Sequence, residues 1–226
     1  MHKYISPLLK EFKNNANEEK ALAMAKYMKY HFAYYGIRSP EVKAIALKFY
    51  KENGKPSVEE YQKIVKELWK LPERENQYFA QELCLKMKSN WLESDIKLFE
   101  RMIINKSWWD TVDFIASNLV GNYFIKFPTR KIQIIDSFTR HDNMWLNRVA
   151  ILFQLKYKKE TDTDILAKST LYHINHPDFF IRKAIGWALR EYAKTNANWV
   201  ANFVDTHKFS NLTKREALKH IKKKHK

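Results

Sequence analysis

A small residue set among large apolar ones returns at nearly constant intervals along this chain. It appears as Ala46, Ala80, Ala116, Ala150, Ala184 and Ala217, with successive spacings of 34, 36, 34, 34 and 33 residues. A period of this length is what stacked helix pairs produce, because the small side chain lets adjacent helices approach closely. Alanine is common, so one match means little; five near-equal intervals in a row carry the argument. The 4 glycines and 6 prolines leave few turns, and almost every segment reads at helical period. Pro7, Pro40, Pro56, Pro72, Pro128 and Pro177 fall where helices should start, and Gly36 and Gly54 suit helix ends.

These features predict an all-α chain of roughly a dozen helices. The expected form is a right-handed α-solenoid of HEAT-like helical pairs with a concave basic groove, spanning residues 1–226 as one domain. Charge narrows the partners. With 41 Lys+Arg against 25 Asp+Glu, the net charge is +16. Such an excess is self-repelling and is usually compensated by a polyphosphate or an acidic membrane surface. No segment has the apolar length of a membrane span, and Met1–Pro7 lacks a signal-peptide core. Cys84 is the single cysteine, which excludes an internal disulfide and a cysteine-based zinc site. A cytoplasmic location is the default expectation. Arg148, Arg182 and Arg215 each precede an anchor alanine by two residues. Equivalent positions in stacked repeats line up, so these arginines are expected to form a ladder along a phosphate backbone. The competing reading is that they bridge repeats through acids such as Glu191 or Glu216.

Ser107-Trp108-Trp109-Asp110-Thr111-Val112-Asp113 is the densest motif. Ser107 reads as an N-cap with Asp110 at N3, and Trp108 as a core residue. Trp109 and Asp113 are an i, i+4 pair on one helix face. A carboxylate beside aromatic surface suits a cation, and an acid among basic side chains would repel phosphate unless it had a task. The plain alternatives are core packing for Trp109 and a surface acid or ion pair for Asp113. In Gly186-Trp187-Ala188-Leu189-Arg190 a mid-helix glycine marks close approach to the backbone, and Trp187 and Arg190 are candidates for ligand contact. His173 and His176 read as two surface histidines, Cys84 as a buried small hydrophobe, and Lys214–Lys226 as a basic helical tail. There is no phosphate-cradling glycine loop and no nucleophile elbow.

The segments Lys106–Asp113, Ala150–Tyr157 and Ala184–Tyr192 closely resemble the AlkD family of bacterial DNA alkylation-repair glycosylases, and the likeness covers essentially the whole chain. The resemblance implies a helical-repeat protein that grips duplex DNA. It implies hydrolysis of the N-glycosidic bond of cationic N3- and N7-alkylpurines without base flipping, with no metal or cofactor. Trp109, Asp113 and Trp187 map to family active-site residues. Arg148 maps to a DNA-contacting arginine, and Tyr27 to a further DNA contact. A monomer acting in the cytoplasm, on DNA in the nucleoid, is expected. The alternative is a non-catalytic helical-repeat protein that binds nucleic acid or scaffolds an acidic protein.

Overall fold

The computed structural model describes residues 2–224, and residues 225 and 226 of the basic tail lie outside the described residues. The chain is all-α, with no strand among the described residues beyond one isolated bridge between Ala33 and Glu73. It divides into two compact units, residues 1–92 and 93–226.

The first unit holds α1 (Ser6–Asn14), α2 (Glu18–Tyr27), α3 (Ser39–Asn53), α4 (Val58–Lys70) and α5 (Arg74–Lys86). Pro7 and Pro40 sit in the first turns of α1 and α3, where a missing N–H costs nothing. Asn17 caps α2 by accepting from Lys20 N at 2.9 Å, and Ser57 caps α4 by accepting from Glu60 N at 3.3 Å. Each such cap contributes about 1 kcal/mol. The loop before α3 is fixed by the buried Glu75 carboxylate, which accepts from the backbone N–H groups of Tyr35, Gly36 and Ile37 at 3.1, 2.9 and 3.0 Å. Burial pushes that carboxyl up, and the three backbone bonds pull it back down.

Gly54 ends α3, as its sequence position suggests. Gly36 does something else: it lies in the 33–37 loop with φ +85°, and a Cβ there would stand 2.1 Å from the Asn17 carbonyl oxygen. Gly36→Ala therefore combines a left-handed backbone with a backbone clash. It is expected to destabilise the protein by about 3 kcal/mol or more, read as a lowered urea midpoint. A midpoint within error of the parent would contradict this account of the loop.

The second unit holds α6 (Asp95–Ile104), α7 (Trp109–Phe114), α8 (Gly121–Lys126), α9 (Lys131–Arg140), α10 (Met144–Leu152), α11 (Thr163–Tyr172), α12 (Phe179–Tyr192), α13 (Ala197–Thr206) and α14 (Asn211–Lys224). A π-helical turn, Ile115–Val120, joins α7 to α8 without a break. Side chains of Asn143, Asp162, Asp178 and Asn196 cap α10 to α13. Within each unit the anchor alanines mark where helices pack. Ala80, Ala116, Ala150, Ala184 and Ala217 are at most 1% exposed, and only Ala46 is partly open. Gly186 belongs to the same packing: a Cβ there would stand 2.6 Å from the Glu216 Cβ, so the backbone it admits is that of α14. Cys84 is buried, and burial raises its thiol far above the usual range.

His173 departs from the surface placement expected of it. It is buried, its ring lies 5.7 Å from that of His176, and its Nε2 meets no hydrogen-bond partner among the described residues. Burial, with His176 as a second cause, pushes its pKa down to about 4. The unfolded chain then binds a proton between pH 6.5 and about 4 that the folded chain refuses, so stability falls as pH drops through that window. Relative to His173→Gln, the parent is expected to lose on the order of 2 kcal/mol more between pH 7 and pH 4.5 in urea titrations. Parallel losses would contradict the buried neutral imidazole.

Candidate active site

Asp113 sits at the end of the short α7, and its carboxylate is held by Arg148 from α10. Arg148 Nε donates to Oδ1 at 2.7 Å and Nη2 to Oδ2 at 2.8 Å. This is the two-pronged geometry in which a guanidinium matches a carboxylate best. Nη1 donates to the Phe180 carbonyl at the start of α12, so one arginine ties three helices together. The Asp113 side chain is 15% exposed and that of Arg148 5%. Burial pushes the Asp113 carboxyl above the usual aspartate range, and the hydrogen bonds and charge of Arg148 pull it back down. A carboxylate has about four lone-pair sites, so the two bonds from Arg148 leave two for a ligand or a water.

The repeat register explains why Asp113 turns to Arg148. Three residues before Ala80 stands Gln77, whose Nε2 donates to the carbonyls of Leu68 and Leu71 at the end of α4, at 3.1 and 2.9 Å. Three residues before Ala150 stands Asn147, whose Nδ2 donates to the carbonyls of Phe138 and His141 at the end of α9, at 2.9 and 2.8 Å. Both amides satisfy orphan carbonyls at a helix C-terminus. Asp113 holds the same place before Ala116, and an ionised carboxylate has no proton to donate. The end of α6 is served instead by Ser107 Oγ, which donates to Ile103 O at 2.5 Å, and by Asn105 Nδ2, which donates to Arg101 O at 2.8 Å. The expected Ser107–Asp110 capping box is therefore not formed: Trp108 occupies the N-cap of α7 with no side-chain cap bond, because the serine hydroxyl is spent on the preceding helix.

Beside the ion pair stands an aromatic group that the sequence reading did not single out. Trp108 packs against Trp145 at 5.8 Å and Phe180 at 5.1 Å, and Trp145 lies 5.3 Å from Phe180. The Arg148 Cζ is 6.0 Å from the Phe180 ring centroid. Trp108 is thus half-buried in this cluster rather than sealed in the core. The available signal was the helical register: Trp145 is one turn before Arg148 on α10.

Of the other expected site residues, Trp109 lies one turn before Asp113 on α7 and, like Trp108, is half-buried. Trp187 is also half-buried and lies two turns beyond Phe180 on α12. The arginine ladder does not share one environment. Arg148 is buried on Asp113, Arg182 is half-buried with no partner for its Nε among the described residues, and Arg215 is exposed. Arg148 is committed to the ion pair, and Arg215 is the most open of the three. Arg190 lies 2.5 Å from Glu216, which also takes Lys183 at 3.1 Å. For Arg190 the structure shows the bridge between helices that competes with the DNA-contact reading. Tyr27 is 74% exposed and belongs to the first unit. Among the described residues no group of three or more His, Cys, Asp or Glu could hold a metal, and no helix is long and apolar enough to cross a membrane.

A half-buried carboxylate oriented by a buried two-pronged arginine, on packed helices, defines an α-helical protein with a charged site on its helix faces. Residues 8–221 match the family described as DNA alkylation repair enzyme, and the chain belongs to that family. A solved structure described as a predicted DNA alkylation repair enzyme from Enterococcus faecalis is 33% identical and superposes with a TM-score of 0.86. It covers 91% of this chain and 96% of its own. Comparison with curated protein sequences gives no match.

Proposed function

We propose that this protein is a monofunctional DNA glycosylase that removes cationic N3- and N7-alkylpurines from duplex DNA, acting as a monomer with both units serving one activity. The observation that carries the reading is the Asp113 carboxylate, held in place by Arg148 with two acceptor positions left over. Membership of the alkylation-repair family supports DNA as the partner, and the net charge of +16 supports a polyanion.

The chemistry asks little of the protein. An N3- or N7-alkylpurine already carries positive charge, so it leaves without protonation. When the C1′–N bond breaks, its electron pair neutralises the base and the charge passes to the sugar. A carboxylate about 4 Å from that sugar contributes roughly 4 kcal/mol of attraction at an effective dielectric near 20, before desolvation. Water then adds to C1′, and Asp113 is placed to orient it and accept its proton. Products are the free alkylpurine and an abasic site. In this reading the half-buried Trp109 and Trp187 supply π-faces for the cationic base and the sugar, each worth about 0.5–2 kcal/mol. Nothing in this scheme requires the base to enter a closed pocket; the reading, like the family resemblance, has hydrolysis proceed without flipping, and bulky adducts are then expected to be tolerated. In this reading Tyr27, Arg182 and Arg215 contact the DNA, whereas Arg190 is held by Glu216.

Release of 7-methylguanine from methylated duplex DNA tests the reading. The expected result is release well above the spontaneous rate, with binding that weakens by about 0.9 log units per log unit of salt for each phosphate neutralised. Salt-sensitive binding without release would leave a non-catalytic DNA-binding protein. Salt-insensitive behaviour with no release would favour a protein scaffold.

A further inference from the structure

Helix α2 is unusual among the helices of the first unit, because none of its residues is buried. It nevertheless carries a continuous stripe of side chains, apolar beyond Lys20 at its start. Lys20, Ala23, Met24 and Tyr27, with Met28 at the C-cap, recur at i, i+3, i+4, i+7 and i+8, and so share one helix face. That face lines a cavity of about 260 Å³, whose remaining wall is Tyr34, Arg38 and Tyr78. The volume lies just below the usual range for small-molecule sites and suits one flat ring system rather than a large ligand.

The wall combines flat, polarisable surface with positive charge at its rim. Met24, Met28 and the tyrosine rings give polarisable, flat surface. The hydroxyls of Tyr34 and Tyr78 stand 3.4 Å apart, in contact with one another on that wall. Lys20 and the exposed Arg38 bring positive charge to the rim, against one acid, Glu41, which lies 3.5 Å from Lys20 and accepts from Arg38 N at 2.8 Å. Just past α2 the chain reads Lys26-Tyr27-Met28-Lys29-Tyr30-His31. Lys29 and Tyr30 adopt left-handed backbone, φ 54° and 58°, a conformation that costs energy in non-glycine residues and is kept where it serves a purpose. Tyr30, between Lys29 and His31, is 64% exposed. Basic residues interleaved with open aromatics are the means by which proteins hold single-stranded nucleic acid.

We propose that this cup in the first unit binds one unpaired nucleotide of DNA, its base against Met24 and the tyrosine rings and its flanking phosphates on Lys20 and Arg38. The proposal rests on DNA being the partner of this protein. A base within the duplex has both faces covered by its neighbours, so only a nucleotide that has left the stack can use the cup.

The test uses the full chain and two unmodified duplexes, one fully paired and one with a single extra 2-aminopurine nucleotide. The parent is expected to bind the bulged duplex about tenfold more tightly, and to change the 2-aminopurine emission, as stacking on aromatic side chains does. Ala23→Glu places a negative charge at the exposed mouth, and Met24→Trp fills the cavity without changing charge. Both are expected to bring the ratio close to one, with thermal melts by circular dichroism verifying the fold. Equal and tight binding of both duplexes by the parent overturns the cup and leaves DNA as the partner. A preference that survives both substitutions also overturns it. Failure to bind either duplex overturns both the cup and the DNA reading.

Discussion

Asp113→Asn is expected to lower the single-turnover rate of alkylpurine release by about 100- to 1,000-fold, because it removes preorganised charge from the place where the sugar becomes cationic. Affinity for the duplex should change little, since the carboxylate is no donor to phosphate. The substitution has a second consequence that the sequence did not suggest. Arg148 is 4% exposed, and the neutral amide leaves its guanidinium without a counter-charge. Breaking a buried pair by removing one partner costs about 3–5 kcal/mol, so the variant should melt earlier and must be assayed where it is still folded. A variant that melts with the parent and keeps its rate would contradict both roles of the pair.

Arg148→Met approaches the same pair from the other side. The charge and hydrogen bonds of Arg148 pull the Asp113 carboxyl down against the effect of burial. Without them, burial alone acts and the carboxyl rises further. Activity needs the ionised form, so the acid limb of the pH–rate profile should move to higher pH. The single-turnover rate at neutral pH should fall and recover in part as pH is raised. Stability should fall most at neutral and alkaline pH, where an unpaired carboxylate is buried, and least in acid, where Asp113 is protonated. Arg148→Lys should recover only part of the function, because an ammonium cannot reproduce two parallel N–H bonds. If Arg148 acted instead by holding phosphate, Arg148→Met would leave the pH profile in place and reduce the salt slope by about 0.9. The two outcomes separate cleanly.

The period of small residues made the all-α architecture legible, because helix packing requires a small side chain at each close approach and the chain supplies one every 33 to 36 residues. The site was legible in part. Trp109 and Asp113 stand on one helix face as their spacing requires. The arginines were harder to place. Position two before the alanine fixes where a side chain leaves the helix, but not what it meets, and that depends on the neighbouring helix: Asp113 for Arg148, open solvent for Arg215. The partnership of Asp113 could have been read more closely from the register that also holds Gln77 and Asn147. An acid at a position where neighbouring repeats place an amide donor must find a donor of its own. Gly186 marks a close approach to the helix backbone, as its mid-helix position suggests, and what approaches it is α14. His173 carried no sequence signal of burial, because the spacing from His176 describes the helix end and not what packs over it.

The most direct measurement is single-turnover release of 7-methylguanine from methylated duplex DNA by the parent protein and by Asp113→Asn, both at saturating protein and at a temperature where both are folded. The account predicts rapid release by the parent and a rate about 100-fold or more lower for the variant at unchanged affinity. Release by the parent no faster than in protein-free DNA, or equal rates for the two proteins, would contradict it.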